Sequence, residues 1–302
     1  MKKVVRILGL CALVALAFTS CKKKETNTVT FQASITQPTS DSRTHVVGSG
    51  ITETVYWDLD DEIKVIRIED GEDNDYTVQA GRFDGDYAEF EGDAEFLADL
   101  DKANKYSAFY PYANYVGDNV FLTITPIQEY VLAINSFANN FYPMYALNTA
   151  SGNFPFHSNA GLLKLVFNSA FENQNVPTSV DISDVVITAP EGDVLAGTMK
   201  YDRNGNYIGI DTNYPIYNQV RMEVNKTVVS NDQTIIYFVL PEGALANGFN
   251  LKVYPQGGTT PLVDRNARPA SECPAGKDNT IYAETITEMP LVYIPLVPPT
   301  GK

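Results

Sequence analysis

The strongest constraint on this chain is a rhythm. Short runs of β-branched, aromatic and alternating apolar residues recur along it, separated by clusters of Gly, Pro, Asn and Asp. Residues 28–35 (TVTFQASI), 63–68 (IKVIRI), 106–110 (YSAFY), 119–125 (NVFLTIT), 162–167 (LLKLVF), 180–188 (VDISDVVIT), 234–240 (TIIYFVL) and 249–254 (FNLKVY) are the clearest. Residues 54–57, 206–210, 220–224, 280–286 and 291–297 have the same character. Runs of this kind, bounded by turn residues, read as strands. Asn204-Gly205, between TMKYDR and NYIGI, predicts a hairpin with a two-residue loop. Many short strands with turn signals between them favour packed sandwiches over barrels or βαβ units, so the fold class is all-β. One helix is expected, over residues 93–102 (DAEFLADLDK), where Phe96, Leu97 and Leu100 share a face and Asp93 can cap the start.

The N-terminus is a separate object. Lys2, Lys3 and Arg6 precede an unbroken apolar run of 12 residues, Ile7 to Phe18. A spanning helix needs about 20 such residues, so the run has the size and flanks of a secretory signal. Thr19 and Ser20 then lead into Cys21, which resembles the lipobox of a bacterial lipoprotein, where the leader is cut before a cysteine that carries lipid. Phe18 departs from the small or branched aliphatic residue usual three places before that cysteine. The division expected is a leader at 1–20, a linker with the first strand at 21–43, and two sandwich domains at 44–152 and 153–302. The stretch at 146–156, rich in small and polar residues, marks their boundary.

Charge and composition exclude several classes. The chain of 302 residues carries a net charge of −15, and losing Lys2, Lys3 and Arg6 with the leader makes that −18. So acidic a surface repels phosphate backbones, which argues against nucleic-acid binding. After Cys21 the one cysteine left is Cys273, in the loop-like PASECPAGKD, an incidental thiol and no nucleophile. The two histidines, His45 and His157, are far apart, and there is no HExxH, CxxC or phosphate-cradling glycine loop. The acidic groups DLDDE (58–62) and EDGEDND (69–75) fail the EF-hand template, because Asp75 stands where glycine is needed; a loop begun at Asp202 finds Tyr207 there. They read as turns and solvated faces, not as a calcium site or a glycosidase pair. Trp57 lies in a strand-like run, which favours a core role over a sugar platform. No enzyme activity and no cofactor are expected.

Several segments, in order, resemble the fimbrillin family of Bacteroidetes, the type V pilins and Mfa-like relatives. VTFQASI (29–35) is similar to that family's opening strand, and a polar loop with an arginine follows, here SDSRTH with Arg43 and Thr44. WDLDDEIKV matches the family pattern at Trp57, Asp61, Ile63 and Val65, with Asp60 in place of the usual glycine. YSAFYPY (106–112), PMYA (143–146) and FPFHSNAGLLKLVF (154–167) resemble further family segments, and the C-terminal half agrees in its β-rich character. The resemblance implies two transthyretin-like β-sandwich domains in tandem. It also implies export as an outer-membrane lipoprotein through Cys21, lipoprotein export machinery, and an arginine-specific protease cutting between Arg43 and Thr44. The first strand, with Val29, Phe31, Ala33 and Ile35 turned inward, then leaves, and a strand from another pilin subunit replaces it in a homo- or hetero-polymer. The donor candidate is the C-terminal run, with Leu291, Tyr293 and Val297 on one face; Pro295 removes one ladder N–H. The function expected is thus a pilus or adhesion subunit at the cell surface. The alternative is an unprocessed surface lipoprotein that binds polysaccharide.

Overall fold

The computed structural model describes residues 27–37, 39–40, 55–59, 61–84, 86–111, 113–131, 136–137, 141–170, 179–229, 233–273, 279–289 and 292–295. Among them the regular structure is β-strand apart from a short 3-10 turn at Ala270–Glu272, so the all-β expectation holds. In chain order the strands are β1 (Thr28–Ile35), β2 (Thr39–Ser40), β3 (Glu62–Arg67), β4 (Asp73–Asp84), β5 (Tyr87–Asp93), β6 (Tyr106–Tyr110), β7 (Asn114–Val116) and β8 (Asn119–Ile124). There follow β9 (Ile127–Val131), β10 (Ser136–Phe137), β11 (Met144–Leu147), β12 (Phe154–Phe156), β13 (Ala160–Ala170), β14 (Ser179–Thr188) and β15 (Gly197–Asp202). The last are β16 (Tyr207–Ile210), β17 (Gln219–Val229), β18 (Thr234–Pro241), β19 (Phe249–Pro255), β20 (Val263–Ala267), β21 (Thr285–Glu288) and β22 (Val292–Pro295).

Seven strands form one path in the order β11-β6-β3-β4-β5-β1-β12. β4 is shared: residues 73–77 pair with β3, while Val78 and, after a register shift, Phe83 and Asp84 pair with β5. The path therefore folds over along β4, setting β3, β6 and β11 against β5, β1 and β12. Its two ends also meet, because Tyr145 of β11 and His157, just after β12, exchange backbone hydrogen bonds of 2.8 and 2.7 Å. The sandwich is thus closed at both corners. Trp57 lies inside it, 2% exposed, with ring edges toward Phe90, Tyr110 and Phe156 at 5.3–5.7 Å. That is the core role expected of it.

The remaining strands make a six-stranded sheet (β10-β9-β17-β14-β19-β20), a sheet ordered β18-β13-β21-β2 with β22 also on β13, and a four-stranded sheet (β16-β15-β8-β7). These sheets draw strands from both sides of residue 152. β8 pairs with β15, β9 runs parallel to β17, and β12 belongs to the first sandwich. Gln128 of β9 is fully buried and acts as a spliced-in strand residue. Its amide donates to the Val239 carbonyl (2.8 Å) and its carbonyl accepts from the Val239 N–H (3.0 Å), joining two sheets. The buried apolar side chains form one continuous cluster.

Two local expectations change. Residues 94–101 are turns and not a helix. Asp93 does cap, accepting from the Glu95 and Phe96 N–H groups at 2.8 and 3.0 Å, and one helical bond forms from Leu97 N to Asp93 O. After that the carbonyls are diverted: Phe96 O accepts from the Tyr106 hydroxyl (2.7 Å), and Leu100 O accepts from the Asn148 amide (2.9 Å). Phe96, Leu97 and Leu100 are still buried, as their spacing suggested. The Asn204-Gly205 hairpin forms between β15 and β16, but Asp202 N bonds Asn206 O, so the loop holds three residues and Gly205 takes φ +80°. The Asp202 carboxylate closes it, accepting from the N–H groups of Asn204 and Asn206, both at 2.9 Å.

Asn148 fastens the turn segment to the sandwich. It is 1% exposed; its carbonyl accepts from Lys105 N and Tyr106 N, and its amide donates to Leu100 O and Lys102 O, all within 2.8–2.9 Å. Asn148→Ala orphans four backbone groups and is expected to destabilise by about 3 kcal/mol. Asn148→Asp loses the two donors and sets a charge against two carbonyls, so it should be no milder. Urea unfolding, with midpoints compared at unchanged slope, measures both.

Candidate functional site

The first strand is the candidate site. In β1 the side chains alternate as the sequence suggested: Phe31, Ala33 and Ile35 are buried, Val29 is half-buried, and Thr28, Thr30 and Ser34 are exposed. Phe31 is the hub. Its ring stacks on Phe90 at 5.4 Å and meets the edges of Tyr76 and Phe154 at the same distance. Ala33 sits directly across from Ala88, which is also buried.

The backbone of β1 is bonded on both sides. Along β5 it runs antiparallel over seven register pairs, from Thr28↔Asp93 to Ser34↔Tyr87. On the other side Ala33, Ser34 and Ile35 run parallel to Phe154, Pro155 and Phe156 of β12. Thr36 N extends this contact to Phe156 O at 2.8 Å. Nearer its start, β1 is flanked instead by an open cleft of about 600 Å³ lined by Thr30, Phe31, Gln32, Arg82, Glu89 and the 151–153 turn. Gln37 then clips the outgoing chain to Val55, donating to its carbonyl at 3.0 Å and accepting from its N–H at 2.7 Å. All of these partners lie later in the sequence, so β1 is the first of the described strands and is bonded on both edges.

The acidic runs do more than face solvent. Asp61 is 2% exposed, and its carboxylate accepts from the Tyr110 hydroxyl (2.6 Å) and from Asp58 N (2.7 Å). That bond ties the WDLDDE turn under the sandwich. Lys64 is clasped by Asp73 and Asp75 at 2.7 and 2.8 Å. Burial alone would lower the Lys64 pKa, but the hydrogen bonds to the two carboxylates outweigh it and raise it. Arg67 holds Asp70 and Glu72, and its hydrogen bond keeps the Asp70 carboxyl down at about 2. Among the described residues no group of three or more His, Cys, Asp or Glu is placed to hold a metal ion.

The other sequence candidates divide. Cys21, Arg43, Thr44, Leu291 and Val297 lie outside the described residues. Tyr293 lies in β22, whose backbone runs parallel to β13 with Tyr293 opposite Asn168. Val292 and Ile294 of that strand are buried. β21 precedes it on the same edge of β13, fastened by the Lys164–Glu288 ion pair at 3.1 Å. Gly161 permits the close approach there, since a Cβ at that position would stand 2.2 Å from the Tyr282 carbonyl oxygen. Sequence reasoning did not find β12 as the second wall of the β1 seat. Its short FPF run gives no sign of a parallel partner so far upstream.

No protein-family model matches the chain, and no curated protein matches it in sequence. Solved structures do. One is a protein assigned to cell adhesion from Bacteroides ovatus, 12% identical, with 85% of this chain and 88% of that one covered at a TM-score of 0.47. Another is a fimbrial assembly protein from Parabacteroides distasonis, 11% identical, covering 87% and 90% at 0.32. A third is the tip fimbrial protein Mfa3 from Porphyromonas gingivalis with C-terminal truncation, 10% identical, covering 85% and 91% at 0.29.

The seat of β1 can be tested by its hub. Phe31→Ala should cost about 3–5 kcal/mol, the range for emptying a buried aromatic site. Thr30→Ala, one residue away on the exposed face, should cost less than about 1 kcal/mol. Thermal or denaturant unfolding of the two variants measures the difference.

Proposed function

We propose that this chain is a fimbrillin-like pilus or adhesion subunit. It is exported as an outer-membrane lipoprotein through Cys21 and assembled at the cell surface by strand exchange once a protease cuts after Arg43. The observation that carries this reading is the placement of β1, the first of the described strands, whose backbone is bonded to β5 and β12 and whose side chains enter the core. Both partners lie downstream, so one cut on the C-terminal side of β1 ends its covalent link to them. The seat left behind exposes backbone groups along β5 and β12 and the pocket of Phe31. Each buried polar group without a partner costs about 1–3 kcal/mol, so the seat demands a replacement. An incoming strand would gain main-chain bonds for affinity and alternate side-chain pockets for fit.

The donor in this reading is the C-terminal segment of another copy, with Leu291, Tyr293 and Val297 on its inserting face. Before donation, that segment must leave its place beside β13. Partners are therefore other pilin subunits, the arginine-specific protease, the lipoprotein export machinery and the membrane. No catalytic role is assigned.

A second reading, a surface lipoprotein that binds polysaccharide, has one observation in its favour. Tyr214 and Tyr217 are about two-fifths exposed beside the four-stranded sheet, and Tyr214 packs on Phe121 at 5.4 Å. With Trp57 buried, these rings and not the indole would form the platform.

Arginine-specific proteolysis of the exported precursor should give ladders of polymer on unboiled gels and a new N-terminus at Thr44. Arg43→Ala should give neither. Parental polymerisation by Arg43→Ala would overturn the maturation step. Glycan binding that is lost in Tyr214→Ala, with no polymer from the parent, would favour the second reading.

A further inference from the structure

The segment that carries β1 does not end in the first sandwich. After Gln37 it crosses to the sheet built on β13 and adds β2, with Thr39 beside Thr285 and Ser40 beside Ile286. In that sheet the order is β18-β13-β21-β2, so β2 covers the outer edge of β21. Both strands lie upstream of Arg43. We propose that the N-terminal segment is a latch with two grips, and that its loss releases the C-terminal strands β21 and β22 as well as emptying the seat of β1.

The C-terminal strands are lightly held. β21 makes three register pairs with β13 and β22 makes four, with a break between them, whereas β18 makes eight on the other side of the same strand. β2 pairs with the first half of β21, Thr285 and Ile286, and without it that half too becomes an open edge, which frays at lower cost than a covered one.

A second route connects the two grips. β1 bonds β12 through Thr36, whose N–H donates to the Phe156 carbonyl at 2.8 Å. The next residue, His157, places Nδ1 2.8 Å from Glu284 Oε1, and the same oxygen accepts from Ser158 N at 3.0 Å. Glu284 stands immediately before β21 in a left-handed conformation, φ +52°. That conformation is unfavourable for a residue with a Cβ, and these side-chain bonds add to the bond its own N–H donates to the Ala160 carbonyl at 3.0 Å. Removing β1 takes away one wall of β12 and so weakens the clamp on Glu284. The same cut would thus open the acceptor and loosen the donor, and no subunit would offer its C-terminal strand before its own seat was empty.

This role in assembly rests on the strand-exchange reading above, but the latch itself is tested on the uncut chain. Successive N–H groups of a strand face opposite edges, so Thr39→Pro with Ser40→Pro removes whichever N–H of β2 faces β21. Amide hydrogen exchange should rise about tenfold or more over residues 285–288 and 292–294, while residues 87–93, under β1, keep their protection. Unchanged exchange over 285–294 would overturn the latch even if Arg43 is cut and polymer forms. An equal rise over 87–93 would show that the segment moves as one piece and would overturn the two separate grips.

Discussion

Everything in the first sandwich depends on the seating of one strand between two others. Phe31 supplies the ring that Phe90, Tyr76 and Phe154 pack against, and the backbone of β1 is what joins β5 to β12. The bend along β4 and the Tyr145–His157 pair close the corners of the sandwich, but only β1 makes its second face continuous. A strand in that position would ordinarily come from the middle of a chain, where losing it would mean unfolding the domain. Here both flanking strands lie downstream of it, so one backbone bond after β1 is its covalent link to the rest of the layer.

The sequence discloses β1 well because a half-buried strand writes itself as alternation, and TVTFQASI is buried at the residues its period of two selects. It discloses the all-β class for the same reason. What it withholds is non-local. The parallel pairing of β1 with Phe154–Phe156, the insertion of β8 and β9 among later strands and the crossing of β2 to β21 depend on which run meets which, and no single run encodes that. The helix expected over 93–102 fails for a related cause: its carbonyls at Phe96 and Leu100 are claimed by Tyr106 and Asn148, residues that a local reading does not see. The acidic runs carry more than their composition shows. Asp73 and Asp75 are exposed, as expected, yet hold the buried Lys64, and Asp61 is buried against Tyr110.

The two ends of the described chain converge. β1 and β2 arrive from the N-terminal side and β21 and β22 from the C-terminal side, and they meet on neighbouring edges through Thr39–Thr285 and the His157–Glu284 contact. In the proposed reading the first of these strands is a plug and the last a lightly held edge, as a subunit that completes its neighbour requires.

The central claim is that β1 fills a seat which accepts a strand in its place. Its most direct measurement starts from the folded full chain, cut after Arg43 and freed of the released segment, with amide exchange followed over residues 87–93 and 154–156 as the peptide TVTFQASI is added. The account predicts that these amides lose protection when the segment leaves and regain it saturably with the peptide, and that a peptide carrying Asp in place of Phe31 has no effect. Full protection of the β5 amides in the empty chain, with no response to either peptide, would contradict it.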